Sequence, residues 1–371
     1  NGTDYHVVAD TVRGKTKVLF PNTTDDEEDR TEGISSFNSD GFSLGDYAPM
    51  NKNNDSLVAW AWDAGANSSK TYTVKVVSDS GNKYRFDDFG TSAVALDLEE
   101  GRTYVFDQSD SSNSGHPLRF STTSDGTHNS GSEYTTGVTT TGTPGSSGAK
   151  TTIVVAASAP TLYYYCSAHS GMGGQANTNS TAGASNFDGT IQSTVRASQE
   201  AGFSIIKYDG SGSAGTIGHQ LNDTPGMVWV KIRSTTGFNW KVLHKDLTGF
   251  GTYMLSLDSS GAETAASASW FNSTAPTSSV ISLGSLLAVN GSNEEYICYA
   301  FASVNSYSSI GKYVGNGNAD GPMVTTSFRP AFILTKGIDD AEDWYIRDTA
   351  RSPFNEVQKS LRPNEADSEN K

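Results

Sequence analysis

The chain has 371 residues, only 18% of them charged, with a formal net charge of −15 and a pI near 4.7. That balance argues against a nucleic-acid partner, because a phosphate binder needs a basic face. No run approaches the roughly 18 apolar residues of a membrane-spanning helix, and no apolar stripe of helical period persists beyond about two turns, so an all-β, turn-rich protein of two to four domains is expected.

The first residues, "NGTDYHVVAD", have no signal-peptide pattern and no initiating methionine, as expected of an interior fragment or processed product. "TTDDEEDR" (23–30) reads as a solvated acidic loop and not as a metal site. Next come "GFSLGDYAPMNKNNDSLVAWAW" (41–62) and, much later, "VISLGSLLAVNGSNEEYICYAF" (280–301), which align without a gap and pair Asn51 with Asn290 and Trp62 with Phe301. "DTVRGKTKVLFPN" (10–22) is echoed by "DTARSPFNEVQKSLRPN" (348–364). "FSIIKYDGSG" (203–212) and "PGMVWVK" (225–231) return as "SSIGKYVGNG" (308–317) and "PAFILTK" (330–336), each 105 positions on, with Trp240 corresponding to Trp344. Self-similarity at a fixed period marks a repeat architecture. The boundaries expected are the C-terminal part of a repeat at 1–66, a separate domain at 70–192, a complete repeat at 200–303 and the N-terminal part of a further one at 306–371.

Within the repeats, "MVWVKI", "YMLSL" and "YICYAFA" are short β-branched and aromatic runs bounded by Gly, Pro and Asn, the pattern of sandwich or jelly-roll strands. Trp60, Trp62, Trp229 and Trp240 fall inside strand-like runs and are expected in the core; sugar-stacking platforms are the alternative. Cys298, in an apolar strand, reads as a small buried hydrophobe, unpaired with Cys166. The segments "FNSDGFSLG...VAWAW", "GFSIIKYDGSG", "WFNSTAPTSSVISLG" and "DTAR" resemble a β-rich repeat of tail-fibre and appendage proteins of tailed bacteriophages, marine ones especially. The resemblance covers about 1–65 and 200–371. It implies a virion-surface, extracellular structural component and no enzyme, with other virion proteins as partners, attachment to a host glycan or receptor, and homo-oligomers.

The segment at 70–192 follows neither repeat. Its strands, "KTYTVKVV", "KYRFDDFG", "TYVFDQ" and "HPLRFSTT", lead to "YYYCSAHSGMGG" (163–174), where Cys166, His169 and Met172 stand three residues apart. Thiolate, imidazole and thioether are the donors that select copper, whereas methionine is a poor zinc ligand. A tight loop joining two strands directs three side chains toward one point, and "GMGG" keeps bulk off its backbone. Taken singly, His116 and His169 also read as surface histidines and Met172 as a core filler. His128 and His219 have no partner in the sequence and read as loop residues.

This segment resembles the cupredoxins, blue-copper β-sandwiches in which one histidine comes from mid-chain and a cysteine, a histidine and a methionine from one late loop. His116 in "SGHPLRF" takes the first place and Cys166, His169 and Met172 the others, with the short loop spacing of amicyanins. The resemblance implies a copper site at these four residues. Three functions stay open: a virion appendage component carrying this module, a secreted electron-transfer protein, and a carbohydrate-binding surface protein.

Overall fold

The structure, a computed structural model, describes residues 5–65, 69–178 and 182–369. It is all β. The α-helices among the described residues, Ala48–Asn51, Ala268–Phe271 and Leu287–Asn290, are single turns. Two compact units result, Ala66–Arg196 and Asn1–Gly65 with Ala197–Lys371. The three repeat-bearing stretches, 1–66, 200–303 and 306–371, therefore share one unit apart from residue 66, which lies outside the described residues along with the termini of the outer two.

The Ala66–Arg196 unit is a sandwich of two sheets. One has the strand order Val138–Thr141, Lys150–Val154, Thr103–Asp107, Ser69–Ser78, Asn82–Phe86; the other runs Leu96–Asp97, Gly174–Asn177, Leu162–Cys166, Leu118–Ser121. Alternation sets the inward faces: Tyr104 and Phe106 from "TYVFD", Tyr84 and Phe86 from "NKYRF", Leu162, Tyr164 and Cys166 from "LYYYC". They meet in one apolar cluster, with Phe86 edge-on to Tyr164 at 5.1 Å and to Phe106 at 5.7 Å. Each ring so buried contributes roughly 1.5–3 kcal/mol, which makes this core a rigid base for the loops at its end.

The other unit is built on antiparallel strands ordered Phe203–Asp209, Glu295–Phe301, Met227–Ile232, Lys241–His244, Tyr253–Ser256, Thr264–Ala265. Glu295–Phe301 pairs on both edges and is buried through Tyr296–Ala300, so its sequence is a continuous apolar run without alternation. The repeats reappear as repeated geometry. Met227 pairs with His244 and Trp229 with Val242; 105 and 104 residues on, Phe332 pairs with Asp348 and Leu334 with Ile346. Gly41–Leu44 and Ala48–Asn51 correspond to Val280–Leu283 and Leu287–Asn290, and the Asn51 and Asn290 amides donate to the carbonyls of Gly45 and Gly284 at 2.7 and 2.8 Å.

The two "DT-x-R" turns are also equivalent. Arg13 donates through Nε to Asp10 and through Nη2 to Val8 O at 3.0 Å; Arg351 does the same with Asp348 and Ile346 O at 3.1 Å. Trp240 Nε1 donates to Phe20 O and Trp344 Nε1 to Ser256 O, both at 2.9 Å, while His6, the counterpart of these tryptophans, faces the backbone at Arg362 and Glu365. Each of the three copies thus sets a ring against the backbone of another.

Some expectations need correction. The copies 56–62 and 308–314 form no strands, although their counterparts Glu295–Phe301 and Phe203–Asp209 do. Without a ladder, Trp62 is left 41% exposed, whereas Trp240 and Cys298 are fully buried and Trp60, Trp229 and Phe301 half-buried. The acidic run at 23–30 is not wholly solvated, because Glu27 is buried between Arg233, at 2.7 and 2.9 Å, and Arg13 at 3.1 Å. His219 is buried as well, its Nδ1 accepting from Leu221 N.

Candidate metal centre

Cys166 is the last residue of the strand Leu162–Cys166 and pairs with Leu118, the first residue of its neighbour. That register places His116, two residues before Leu118, beside the cysteine. The chain then turns through 167–173 and returns as Gly174–Asn177 against Leu162–Tyr164. Two glycines permit so tight a return. A Cβ on Gly173 would fall 1.7 Å from Tyr164 O, and one on Gly174 2.7 Å from Ala93 O. His169 lies at the tip of this loop and Met172 at its descending side.

The cysteine and both histidines among the expected ligands come together. Cys166 Sγ stands 3.8 Å from His116 Nδ1 and 3.8 Å from His169 Nδ1, and the three donor atoms lie within 4.8 Å of one another. The imidazole centroids are 4.6 Å apart with planes at 47°. Met172 is fully buried in the apolar cluster that holds Cys166, and its carbonyl accepts Tyr84 N–H at 3.0 Å. Exposure is graded across the centre: Cys166 has none, His116 is 9% exposed and His169 is open to solvent.

The supporting shell is polar and was not visible in the sequence. The His116 carbonyl accepts from Tyr84 Oη and from Gln108 Nε2, both at 2.8 Å, and Gln108 Oε1 in turn accepts from Leu118 N at 3.1 Å. Buried Asn113 takes a further Gln108 N–H at 3.2 Å and donates to Val74 O at 2.7 Å, tying the 113–118 turn to the facing sheet. His128, expected to be an unattached loop residue, instead donates through Nε2 to Cys166 O at 2.9 Å. It rides on the turn Gly126–Asn129, where Gly126 lies flat against the Tyr165 ring and a Cβ would sit 2.4 Å from Tyr165 Cζ. The tip of the loop is held by Asp125, which accepts Gly171 N at 2.8 Å, and by Lys83, which donates to Gly171 O. No local motif links positions 84, 108, 113 and 128 to the ligand loop; only the folded register does.

Burial lowers the His116 pKa, and the nearby His169 charge lowers it further. The imidazole is therefore neutral at neutral pH and has a lone pair to offer. Burial drives the Tyr84 phenol far above its ordinary value, and the charge of Cys166 beside it adds to the rise, so Tyr84 remains a neutral donor. Donors bound about 2.0–2.3 Å from a shared ion and spread around it stand about 3.5–4 Å apart. The two sulfur–nitrogen separations of 3.8 Å meet that requirement, and a cysteine sulfur with two imidazoles matches the donor set of copper, with zinc the next best fit.

Fold and site together define an all-β protein of two units, one of them carrying a cysteine–bis-histidine donor cluster at the end of its sandwich. The chain belongs to the family described as Domain of unknown function (DUF7483), which matches residues 1–85 and 174–371. No curated protein and no solved structure matches it. The family match passes over 86–173, the stretch that contains His116, Cys166, His169 and Met172. Within the Ala66–Arg196 unit, then, the matched flanks supply the strands Ser69–Ser78 and Gly174–Asn177, and the unmatched middle supplies every candidate ligand.

Proposed function

We propose that the Ala66–Arg196 unit binds copper through His116, Cys166 and His169, with Met172 as a weak fourth donor. The observation that carries this reading is the placement of one buried sulfur 3.8 Å from two imidazole nitrogens contributed by separate loops. Copper bound there supplies a one-electron couple. The protein's part is to fix the donors: Tyr84 and Gln108 hold the His116 backbone, His128 holds that of Cys166, and the aromatic core keeps water from the sulfur. The repeats, by their resemblance to phage appendage repeats, support a structural role for the whole chain in a virion surface appendage, a tail fibre or related part. Its partners there are other virion proteins and a host glycan or receptor.

Solvent exposure of His169 favours a second reading, a secreted electron-transfer protein in which the repeats are scaffold. Two measurements separate these readings. Cu(II) titrated into the reduced, metal-free chain should bind at one equivalent and give an intense visible sulfur-to-copper absorption that Cys166→Ser abolishes and Cys298→Ser retains; no absorption and no uptake would refute the copper site. Mass spectrometry of purified phage particles should recover peptides of this chain from the appendage fraction, and their absence would refute the virion role while leaving copper binding untouched.

A further inference from the structure

Each sheet of the Ala66–Arg196 sandwich has two edge strands, and among the described residues three of the four edges are covered. On Asn82–Phe86, Tyr84 N donates to Met172 O at 3.0 Å and Tyr84 O accepts from Ala93 N at 2.8 Å. On Leu118–Ser121, Phe120 O accepts from Tyr134 N at 2.7 Å and Ser121 bridges to Glu133. On Leu96–Asp97, Asp97 N donates to Ser185 Oγ at 2.8 Å. The fourth edge, Val138–Thr141, is bare. It pairs with Lys150–Val154 on one side only, and Thr139, Thr140 and Thr141 are exposed.

The ladder fixes which backbone groups that edge presents. Val154 N donates to Gly137 O at 2.9 Å, so Gly137 turns its groups toward the neighbouring strand, and by the alternation of an antiparallel ladder so do Thr139 and Thr141. Val138 and Thr140 therefore face outward. The Val138 N–H is taken by Thr135 O at 3.1 Å, whereas Thr140 presents both its N–H and its C=O outside the ladder. Natural edge strands usually carry a charge, a proline or a bulge that stops further pairing. This strand has none of them, its register is regular, and no charged residue occurs between Glu133 and Lys150.

We propose that Val138–Thr141 of one copy of this chain pairs antiparallel with the same strand of a second copy, about a two-fold axis between the two Thr140 residues. With Thr140 opposite itself, each copy's free N–H meets the other's free C=O, which is the self-complementarity an isologous contact requires. Charge selects the same partner. At a net −15, two copies repel over most of their surface, but here an uncharged stretch meets its like, and Lys150 one strand in is matched by its cross-strand neighbour Asp107. The outer face of the sheet also continues across the axis. Thr139 lies in a row with Thr152, Val105 and Thr71, and Thr141 of the second copy extends that row. Strands this short bury far less than the roughly 1,200 Å² of a stable complex, so the pairing is weak and concentration-dependent, and covalent trapping is the way to read it.

The test uses the full chain. Thr140→Cys sets two exposed thiols opposite each other at a Cα separation of about 5.5 Å, which a disulfide spans, while both native cysteines are buried. Oxidation should convert this variant to a species of twice the 39.3 kDa chain mass. Thr139→Cys, on the other face and opposite Thr141 of the second copy, should stay at monomer mass alone and link when mixed with Thr141→Cys. A Thr140→Cys chain that remains monomeric after oxidation overturns the proposal. So does Thr139→Cys linking to itself as readily as Thr140→Cys, because chance collision and not strand register would then join the copies.

Discussion

Cys166 and Cys298 both lie on strands and neither is exposed, yet only one of them has imidazoles for neighbours. Cys298 sits in the middle of Glu295–Phe301 with a paired strand on each side, and burial alone pushes its thiol far up. Cys166 ends its strand. A mid-strand side chain meets what the sheet and core supply, which here is apolar; a terminal one faces loops, where donors can be brought from distant sequence. The same contrast runs through the buried polar groups. In the Ala66–Arg196 unit, Tyr84, Gln108 and Asn113 are neutral and serve to position His116. In the repeat unit several buried groups are instead charged and paired with each other, Asp10 with Arg13, Asp348 with Arg351 and Glu27 with Arg233.

The contrast breaks first, and with the largest effect, at Arg13. Its guanidinium is wholly buried and closes on Asp10, Glu27, Val8 O and the Tyr299 hydroxyl. Burial acts to raise the Asp10 pKa, but the Arg13 charge and the Tyr299 hydrogen bond outweigh it and hold the carboxyl below its ordinary value. Arg13→Leu leaves that carboxylate buried without its counter-charge, which costs about 3–5 kcal/mol. Denaturant unfolding should show this loss, while one-equivalent copper uptake persists at temperatures where the variant is folded. Arg351→Leu should cost less, because its second partner, Glu369, is 29% exposed. A loss of copper uptake with folding intact would mean that the repeat's charges also serve the metal unit.

Fold class and the alternation of core residues were legible in the sequence, because strand period and turn residues are local properties. Repeat copies were legible too, down to the pairing of Asn51 with Asn290, and because equal sequences make equal turns the structure gives both amides the same hydrogen bond. The fate of 56–62 and 308–314 was not. A strand's partner is a property of the whole sheet, and both stretches align with ladder strands of the complete repeat while forming no ladder. At the candidate site, the loop with Cys166, His169 and Met172 stood out by its spacing, and His116 only through the cupredoxin resemblance. Tyr84, Gln108, Asn113 and His128 did not, because each acts through a backbone carbonyl, a role open to any donor at the right place in space.

The supporting shell offers the next effect. Tyr84→Phe removes one of two donors from the His116 carbonyl, and His128→Ala frees the Cys166 carbonyl. Each should weaken copper binding by about 10–100-fold, the usual consequence of losing such a contact. Unfolding free energy should change by only about 1 kcal/mol, the net worth of one hydrogen bond. Competition titration against a chelator measures the first quantity and denaturant melts the second. Equal losses in both would reduce these residues to ordinary core polar groups and erase the distinction from the repeat unit.

The smallest effect concerns a charge that the repeat framework buries for architecture alone. Lys231 has no exposed surface, and its ammonium donates to Thr24 O at 3.1 Å and Phe238 O at 2.6 Å. Burial brings its pKa down to about 8, against the pull of Asp258, Asp25 and Asp26. In the unfolded chain the group returns to about 10.4, so between these values the unfolded state holds more protons than the folded one. Stability contributed by this lysine must therefore rise with pH across that window and be flat below it. Lys231→Met removes the titration. The difference in unfolding free energy between the native chain and this variant should grow in favour of the native chain by about 1 kcal/mol from pH 8.5 to 9.5. Taking the difference cancels the tyrosines, whose raised values weaken the fold at still higher pH in both proteins. A flat difference would mean that water reaches the ammonium, and that the charge is solvated through the 23–26 loop and not buried with the sheet.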